Sequence, residues 1–160
     1  MIDTSALPVR PATFTELREL IGKEIGPTEW HEVTQERVDA FAAATGDHQW
    51  IHVDPERAAA SPLGTTIAHG LYSLSLGPVF SYALLSLEGF GHSLNYGYDK
   101  VRFPAAVPVG SRIRMRATIA AVDNVPGGVQ VRTVQKFECE GVGKPAVVAE
   151  SLARVVESGA

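Results

Sequence analysis

The sequence has little cysteine and no long hydrophobic run, and each absence excludes a class of structure. Cys139 is its single cysteine, so a disulfide within the chain and a zinc site built from several cysteines are both excluded. It lies in an alternating stretch typical of a strand, where a free cysteine behaves as a small apolar residue. No segment approaches the roughly 18 apolar residues that a membrane helix needs.

Targeting signals and positive charge are also scarce. The first twenty residues contain charges and two prolines but lack the apolar segment of a secretory signal peptide. We therefore expect a cytoplasmic protein without membrane insertion. There are 14 Lys and Arg against 18 Asp and Glu, with a net charge of -4. Such a chain lacks the basic field that attracts nucleic acids, so no nucleic-acid partner is expected.

The length and composition suit one domain spanning residues 1–160. With 160 residues, of which 45% are hydrophobic and 20% charged, the chain can bury a core without disulfides or structural metals. The sequence shows no internal repeat, linker or low-complexity tract, which favours a single folding unit.

Helical signals dominate the first half of the chain. Apolar residues recur at three- and four-residue spacing in the segment 13–22, which predicts a short helix. A second helix is predicted from Thr34, a good N-cap residue, to Gly46, a residue typical of helix ends. Asp47 therefore comes directly after a helix, on a loop anchored by a packed element, where functional residues are common.

Two more helices are predicted near the middle of the chain. Asp54 and Pro55 are typical of a helix start, which places His52 on a short extended stretch between two helices. Leu71–Leu87 is the most apolar segment and predicts a helix buried on most of its sides. Pro78 removes one of its hydrogen bonds, and we expect a single helix with a kink there.

Strands dominate the second half. Four segments rich in Val, Ile and Thr are bounded by Pro and Gly, as strands commonly are. In one of them apolar residues alternate with Arg112, Arg114 and Arg116, which is typical of a half-buried antiparallel strand. This order of elements favours an α+β domain in which an antiparallel β-sheet packs on a long apolar helix. The predicted strands are Leu94–Phe103, Arg112–Val122, Val129–Glu140 and Ala146–Val156, with a hairpin turn at 126–128.

The densest group of titratable side chains directly follows the predicted second helix. Asp47 and His52 are separated by the apolar Trp50 and Ile51, which predicts a carboxylate and an imidazole in an apolar setting. Such a pair can share a water molecule, with one group accepting its proton while the other orients it. Both residues also have ordinary structural explanations, since an Asp after Gly often forms a turn. A loop His often lies on the surface, as we expect for His48.

A second candidate feature lies at the start of the long apolar helix. Gly70 opens this helix, so its backbone N–H lacks an acceptor within the helix. With no side chain to obstruct approach, this N–H can hold an anion or polarise a carbonyl oxygen. A glycine serving only a tight corner after the strand-prone residues 65–68 explains it equally well. For His69 we expect a structural role, as a hydrogen-bond partner of the backbone.

Together these residues resemble the hydratase motif of the MaoC-like (R)-specific enoyl-CoA hydratases. The spacing from Gly46 to Gly70 is the specific part of the resemblance, which extends from about Thr13 to Val156. A later segment resembles the NodN-like branch of that family. The motif reads Phe41-Ala42-x-x-Thr45-Gly46-Asp47-x-x-x-x-His52-x-Asp54-Pro55, then Ile67-Ala68-His69-Gly70-Leu71 and Ser75, and the later segment is Leu94-Asn95-Tyr96-Gly97-Tyr98-Asp99-Lys100-Val101-Arg102-Phe103-Pro104.

The resemblance implies a hot-dog fold, in which a curved antiparallel sheet wraps a long central helix. It implies a homodimer, with the acyl chain in a tunnel near the subunit interface. The implied activity is the reversible syn addition of water to a trans-2-enoyl-CoA, so the partner is an acyl-CoA thioester substrate. Asp47 and His52 take the positions of the catalytic pair, and Gly70 takes that of the oxyanion hole. No metal and no other cofactor is implied.

The resemblance also implies which residues bind the substrate. Ser75 takes the position of a serine near the Asp47 pocket, and the backbone of residues 93–96 lines the pantetheine tunnel. Cations for the CoA phosphates are expected among Lys100, Arg102 and Arg112, although a solvated strand face explains each of them equally well. The expected set is Trp50, Ile67, Ala68, His69, Gly70, Ser75, Ser93, Leu94, Asn95 and Tyr96.

One departure and three alternatives accompany the resemblance. Many members have Asn-Pro where this chain has Gln49-Trp50, and the larger tryptophan reshapes the expected acyl pocket. A hot-dog thioesterase would release a free thiol, and a non-catalytic acyl-CoA-binding subunit would keep the tunnel without turnover. A carrier-protein dehydratase resembles a different pattern, with a glutamate on the central helix, and Leu71–Leu87 contains no Asp or Glu.

Overall fold

The computed structural model describes residues 7–157, in which the short helices come before the long strands. The helices are α1 (Phe14–Glu19), α2 (Gln35–Thr45), α3 (Trp50–Val53), α4 (Pro55–Ala59), α5 (Gly70–Ser75) and α6 (Gly77–Leu84). The strands are β1 (Glu24–Ile25), β2 (His31–Glu32), β3 (His92–Arg102), β4 (Arg112–Val125), β5 (Gly128–Cys139) and β6 (Val147–Val156). Across these residues, no helix combines the length and apolar character needed to cross a bilayer.

One antiparallel sheet contains all of these strands. Its order is β1-β4-β5-β6-β3, and β2 also pairs with β4. The predicted alternation on β4 is confirmed, because Ile113 and Met115 are fully buried while Arg112 is exposed. Cys139 is buried on β5, as expected for a small apolar strand residue, and the predicted turn joins β4 to β5. The predicted α+β class is confirmed.

The long apolar helix is divided in two, so the expected single kinked helix is wrong. The first part, α5, is followed by Leu76, and α6 begins at Gly77 with Pro78 in its first turn. Proline cannot donate the hydrogen bond that would continue α5. It is readily accepted in a first turn, where the N–H has no helical acceptor in any case. The proline therefore starts a new helix instead of bending the old one.

One face of this helical pair is exposed, so the expected burial on most sides is also wrong. Leu71, Val79 and Tyr82 are 61%, 54% and 69% exposed. The opposite face packs on the sheet, where Phe80 of α6 lies 5.8 Å from Phe137 of β5 between ring centroids. Apolar composition alone does not distinguish a face in the core from an apolar face on the surface.

The helix boundaries predicted for the first half are confirmed by their caps. Thr34 accepts a hydrogen bond from the backbone N–H of Arg37 at the start of α2, and Gly46 ends that helix with a φ of 77°. Asp54 accepts from the N–H of Arg57 at the start of α4. These caps set the two ends of the segment that carries the candidate catalytic residues.

His52 lies in α3, whereas the sequence predicted an extended stretch. This helix is a single turn, closed by a hydrogen bond of 3.0 Å from the N–H of Asp54 to the carbonyl oxygen of Trp50. A four-residue helix is too short to show apolar periodicity and depends on contacts with the rest of the protein. Among the strand-prone residues 65–68, Ile67 forms an isolated β-bridge with Pro108. These four residues do not form a strand.

Candidate active site

Three titratable side chains converge where α2, α3 and the start of α5 meet. One ligand atom each from Asp47, His52 and His69 lies within 4.8 Å of the other two. Asp47 and His52 are the predicted pair, and the structure brings them together. A water molecule hydrogen-bonded to two groups at about 2.8 Å each can bridge a gap of this size.

The end of α2 positions Asp47 at the surface of this cluster. Gly46 adopts a left-handed conformation with a φ of 77°, and its N–H donates to the carbonyl oxygen of Ala42 at 2.8 Å. This conformation suits glycine because it has no Cβ. The side chain of Asp47 is 56% exposed, so the carboxylate faces both the cluster and the solvent.

His52, in contrast, is buried, and its ring is held by a backbone acceptor. Its Nδ1 lies 2.6 Å from the carbonyl oxygen of Ile67. A carbonyl oxygen only accepts, so the neutral ring carries its proton on Nδ1 and its lone pair on Nε2. A second bond, of 3.0 Å from the N–H of Ile67 to the oxygen of Ile51, fixes the same two segments. The ring therefore presents a free base nitrogen.

Gln35 supports His52 and was missed by the sequence analysis. Its Nε2 donates to the carbonyl oxygen of His52 at 2.7 Å, and its Oε1 accepts from the hydroxyl of Thr66 at 2.5 Å. This side chain joins the first turn of α2 to α3 and to the segment before α5. A glutamine in a first helical turn carries no sequence signal for such a role, because its partners are distant in the chain.

His69 is buried against His52 and bonds to the Asp47 loop. The two imidazole rings stack with centroids 3.7 Å apart. The Nε2 of His69 lies 3.0 Å from the carbonyl oxygen of Asp47 and 4.0 Å from its Oδ2. Because the carbonyl accepts, this nitrogen is the protonated one in the neutral ring. The expected structural role, a hydrogen bond to backbone, is confirmed, and the stack adds a second support for His52.

Aromatic packing surrounds His69 on its other side. The ring of Phe41 lies 5.0 Å from His69 and 5.8 Å from Tyr72. Burial raises the pKa of Tyr72. Burial, and then the charge of Arg37, lower the pKa of His31, whose Nε2 lies 3.0 Å from the Tyr72 hydroxyl. Both shifts favour the uncharged side chains at neutral pH, and the Arg37 guanidinium, which bonds to His31 and Tyr72, is the charge next to them.

Gly70 begins α5, as predicted, but its missing side chain does not leave open space. A methyl group added at Gly70 would lie 2.9 Å from the ring of Phe103, which directly follows β3. The expected free approach is therefore wrong on that side. A glycine is needed here because an aromatic ring packs against the backbone, and Phe103 was not singled out by the sequence analysis.

The other predicted substrate-binding residues are dispersed. Ala68 is buried, with its N–H bonded to Val107 at 2.8 Å, whereas Ser75 is exposed and donates to Tyr72 of its own helix at 2.6 Å. The prediction that Ser75 faces the Asp47 pocket is therefore not supported. Trp50 lies on α3 beneath the guanidinium of Arg57. The strand residues Ser93, Leu94, Asn95 and Tyr96 are exposed on β3.

Of the three expected phosphate-binding cations, one is already paired. Arg112 forms two hydrogen bonds with Glu140, at 2.9 and 2.5 Å, so its charge is neutralised locally. Lys100 and Arg102 are exposed near the end of β3, and Arg102 directly precedes the Phe103 that packs on Gly70. They are the better placed of the three for an anionic group at the site.

The same cluster of Asp47, His52 and His69 contains the ligand types of a metal site. Its two imidazole rings are stacked with centroids 3.7 Å apart and planes inclined by 25°, so an ion in the plane of one ring lies well out of the plane of the other. Tetrahedral coordination instead requires ligand nitrogens that point to one centre from widely different directions. The ring arrangement therefore suits proton transfer better than metal coordination.

The tautomers of the two buried histidines provide a direct check on this geometry. In their neutral forms, His52 is expected to carry its proton on Nδ1 and His69 on Nε2, because the carbonyl oxygens of Ile67 and Asp47 can only accept. Long-range proton–nitrogen NMR correlations of the imidazole rings distinguish these tautomers, with the exposed His48 as an internal comparison. A proton on Nε2 of neutral His52 would contradict the assignment of its free lone pair.

Comparison with known proteins places this site in a family. A family model described as "MaoC like domain" matches residues 16–139. The chain is 50% identical to "3-hydroxyacyl-thioester dehydratase Z" of Mycobacterium tuberculosis over 145 residues. The alignment covers 90% of this chain and 96% of that protein. The chain is 42% identical over 140 residues to "Nodulation protein N" of Rhizobium leguminosarum, covering 86% and 87%, so the predicted branch is confirmed.

A solved structure confirms the predicted fold. The unliganded R-hydratase of Pseudomonas aeruginosa superposes with a TM-score of 0.71 at 22% identity, covering 86% of this chain and 83% of that chain. The hot-dog architecture is therefore present, although its central helix is the divided pair α5–α6. From the family model, the close relatives and this fold together, the chain belongs to the MaoC-like family.

Proposed function

We propose that the protein is a hydro-lyase that adds water to 2-enoyl thioesters and removes it from 3-hydroxyacyl thioesters. The observations that carry the proposal are the ring nitrogen of His52 within 4.8 Å of the carboxylate of Asp47 and the Nδ1 bond to Ile67, which leaves Nε2 as the base in the neutral ring. The relative named as a 3-hydroxyacyl-thioester dehydratase supports the same chemistry. The (R) configuration of the product is proposed from the resemblance of the motif.

In the hydration direction, a water molecule lies between the two groups. Nε2 of His52 accepts a proton from the water as its oxygen forms a bond to C3 of the enoyl group, and Asp47 orients the water. The electrons of the double bond move to the thioester as an enolate, and a proton then returns from the pair to C2. The half-exposed carboxylate gives water a path to the buried imidazole.

Negative charge develops on the thioester oxygen during this reaction. The backbone N–H of Gly70 is the proposed donor that stabilises this charge. The N–H of the first residue of α5 has no acceptor within its helix. A donor that strengthens its bond as charge builds up stabilises the transition state more than the substrate. Lys100 and Arg102, near the same end of β3, are the proposed contacts for the CoA phosphates.

Substitution of the pair tests the proposed reaction. Asp47→Asn and His52→Gln are each expected to lower kcat/KM for crotonyl-CoA hydration by about 10²–10⁴-fold, because each removes a proton-transfer group. Loss of the enoyl absorbance measures the rate, chiral analysis of the 3-hydroxy product tests its configuration, and a thiol reagent detects any thioesterase activity.

Two exposed residues of the same types serve as matched controls. His48→Gln and Asp123→Asn are expected to hydrate crotonyl-CoA at the rate of the unchanged protein, because both side chains point to solvent. Circular dichroism shows whether all four variants fold. Full hydration by folded Asp47→Asn and His52→Gln variants, or thiol release without hydration, would overturn the proposal.

We further propose that the reaction needs no metal or other cofactor. Both steps are proton transfers that the pair and the Gly70 N–H can support, and the stacked rings of His52 and His69 suit metal coordination poorly. Dialysis against EDTA is expected to leave the hydration rate unchanged within error. A loss of activity that Zn²⁺ restores in proportion to its binding would disprove this.

A homodimer is proposed from the apolar side chains that the single chain leaves exposed. They lie on α5, α6 and the edge strand β3, which has one unpaired side among the described strands. Exposed edges of this kind favour pairing with another strand. These side chains are Leu71, Val79, Tyr82, Leu94 and Tyr96.

The cytoplasmic location stays a prediction of the sequence.

Light scattering during size-exclusion chromatography tests the dimer. The eluting species is expected to have twice the mass of one chain. Leu94→Asp is expected to shift the population towards the single chain, because a charge would be buried in the interface. Lys100→Gln, which lowers the charge of the same strand by the same single unit, separates an interface effect from a general one if it leaves the mass unchanged. A single-chain mass for the unchanged protein at micromolar concentration contradicts the proposal.

A further inference from the structure

A cavity of about 570 Å³ lies between α6 and the side of the sheet that faces it. This volume is typical of a pocket for a small ligand. The apolar part of its wall comes mainly from α6, the segment that follows it and the sheet. The apolar lining is Pro8, Pro78, Tyr82, Leu85, Leu87, Phe90, Val131, Leu152 and Ala153, and the titratable Arg10, Glu88 and His92 also line the cavity. Asp47, His52 and Gly70 do not line it, so it is distinct from the cluster described above.

A row of three hydroxyl groups crosses the sheet side of this cavity. Thr133 of β5 pairs with Ser151 of β6, which pairs in turn with Tyr98 of β3, and all three line the cavity. Directly paired residues present their side chains on the same side of a sheet. In the next row Val131 and Ala153 are apolar, as is usual for a side packed on a helix, and the row ends in the polar Asn95 of β3. The hydroxyl row therefore interrupts the core pattern.

A buried amide adjoins this row. Gln135 is 3% exposed, and its Nε2 donates to the hydroxyl of Ser81 on α6 at 3.2 Å. Its Oε1 is buried without a hydrogen-bond partner among residues 7–157. Burial raises the pKa of Tyr98, so its phenol keeps its proton. The Ser151 hydroxyl donates to the carbonyl oxygen of Thr133 at 3.3 Å, and Tyr98 hydrogen-bonds Asn95. Buried polar groups are normally satisfied, so the unpaired Oε1 of Gln135 is the atom of this cluster that still needs a donor.

The cluster lies at a distance from Gly70 that an acyl chain can span. A methyl group at Gly77 would be 3.4 Å from Oε1 of Gln135 and 3.5 Å from the hydroxyl of Tyr98. Gly77 is seven residues beyond Gly70 along the α5–α6 pair, which corresponds to about 10 Å. A thioester held at Gly70 can therefore bring the far end of a medium-length chain to the hydroxyl row.

We propose that this cavity selects thioesters whose acyl chain carries a hydroxyl group near its far end. The proposal rests on the function proposed above and adds the class of substrate. The apolar wall contacts the methylene groups, and the polar cluster of Thr133, Ser151, Tyr98 and Gln135 binds the distal hydroxyl. A hydroxyl suits this cluster because it both donates and accepts hydrogen bonds.

The physical basis of the selection is desolvation. A plain alkyl chain would displace water from this cluster and leave the buried Oε1 of Gln135 without a partner, which weakens binding. A hydroxylated chain replaces the lost hydrogen bonds. Sites that hydrogen-bond a substrate hydroxyl discriminate strongly against the analogue that lacks it.

The test compares two substrates of equal length with the full chain. 10-Hydroxydec-2-enoyl-CoA is expected to be hydrated with a kcat/KM at least about tenfold higher than dec-2-enoyl-CoA, the factor that one net hydrogen bond supplies. Analogues with two carbons fewer and two carbons more locate the preferred position of the hydroxyl. Crotonyl-CoA, which is too short to reach the cavity, reports on the reaction alone.

The double variant Thr133→Val/Ser151→Ala removes two hydroxyls with little change in volume. Its preference for the hydroxylated chain is expected to fall at least about threefold, measured as the ratio of the two kcat/KM values, because Tyr98 and Gln135 remain. Thr118→Val makes the same Thr-to-Val change on the opposite side of β4, where the residue pairs with Val134. This control is expected to keep the tenfold ratio.

The outcomes separate this proposal from the proposed function. Equal kcat/KM values for the two chains at every length, or an unchanged ratio in the folded double variant, overturn the substrate class while crotonyl-CoA hydration stands. If no enoyl-CoA is hydrated, the proposed function fails. The cavity is then tested by calorimetric binding of 10-hydroxydecanoyl-CoA and decanoyl-CoA, where equal affinities would reject the selection.

Discussion

The hydrogen bond from Nδ1 of His52 to the carbonyl oxygen of Ile67, at 2.6 Å, is the interaction on which the site depends. It fixes the tautomer of the imidazole, the direction of its lone pair and the position of α3 beside the segment that leads into α5. That segment also carries Gly70, three residues further on. The proposed base nitrogen and the proposed backbone donor are therefore held close together by one short stretch of chain, in which the N–H of Ile67 donates to Ile51.

Most of the sheet and the position of Asp47 could be predicted because local signals determine them. Thr34 and Gly46 are residues whose own conformational preferences start and end a helix, and they bound α2 as expected. Alternation in a half-buried strand follows from the two-residue period of the backbone. The family motif then identified His52 and Gly70, for which residue spacing alone had left structural explanations open.

The features that could not be predicted depend on contacts between distant segments. The single turn α3 is too short for periodicity, and Gln35 acts through Thr66 and the His52 backbone, which lie far along the chain. The stack of His69 on His52 exists only after α3 and the start of α5 have met. Apolar composition likewise predicted a buried helix, whereas the divided pair leaves Tyr82 on the surface.

Because Phe103 packs directly on Gly70, the thickness of its aromatic ring sets the distance between the end of β3 and the start of α5. The Phe103 ring occupies the space that a side chain at position 70 would need, although the two residues lie in different parts of the fold. An alanine at position 70 would need a smaller side chain at position 103 or a displaced end of β3. Change at either position is therefore coupled to the other, so related chains are expected to alter them together and to shift the donor N–H when they do.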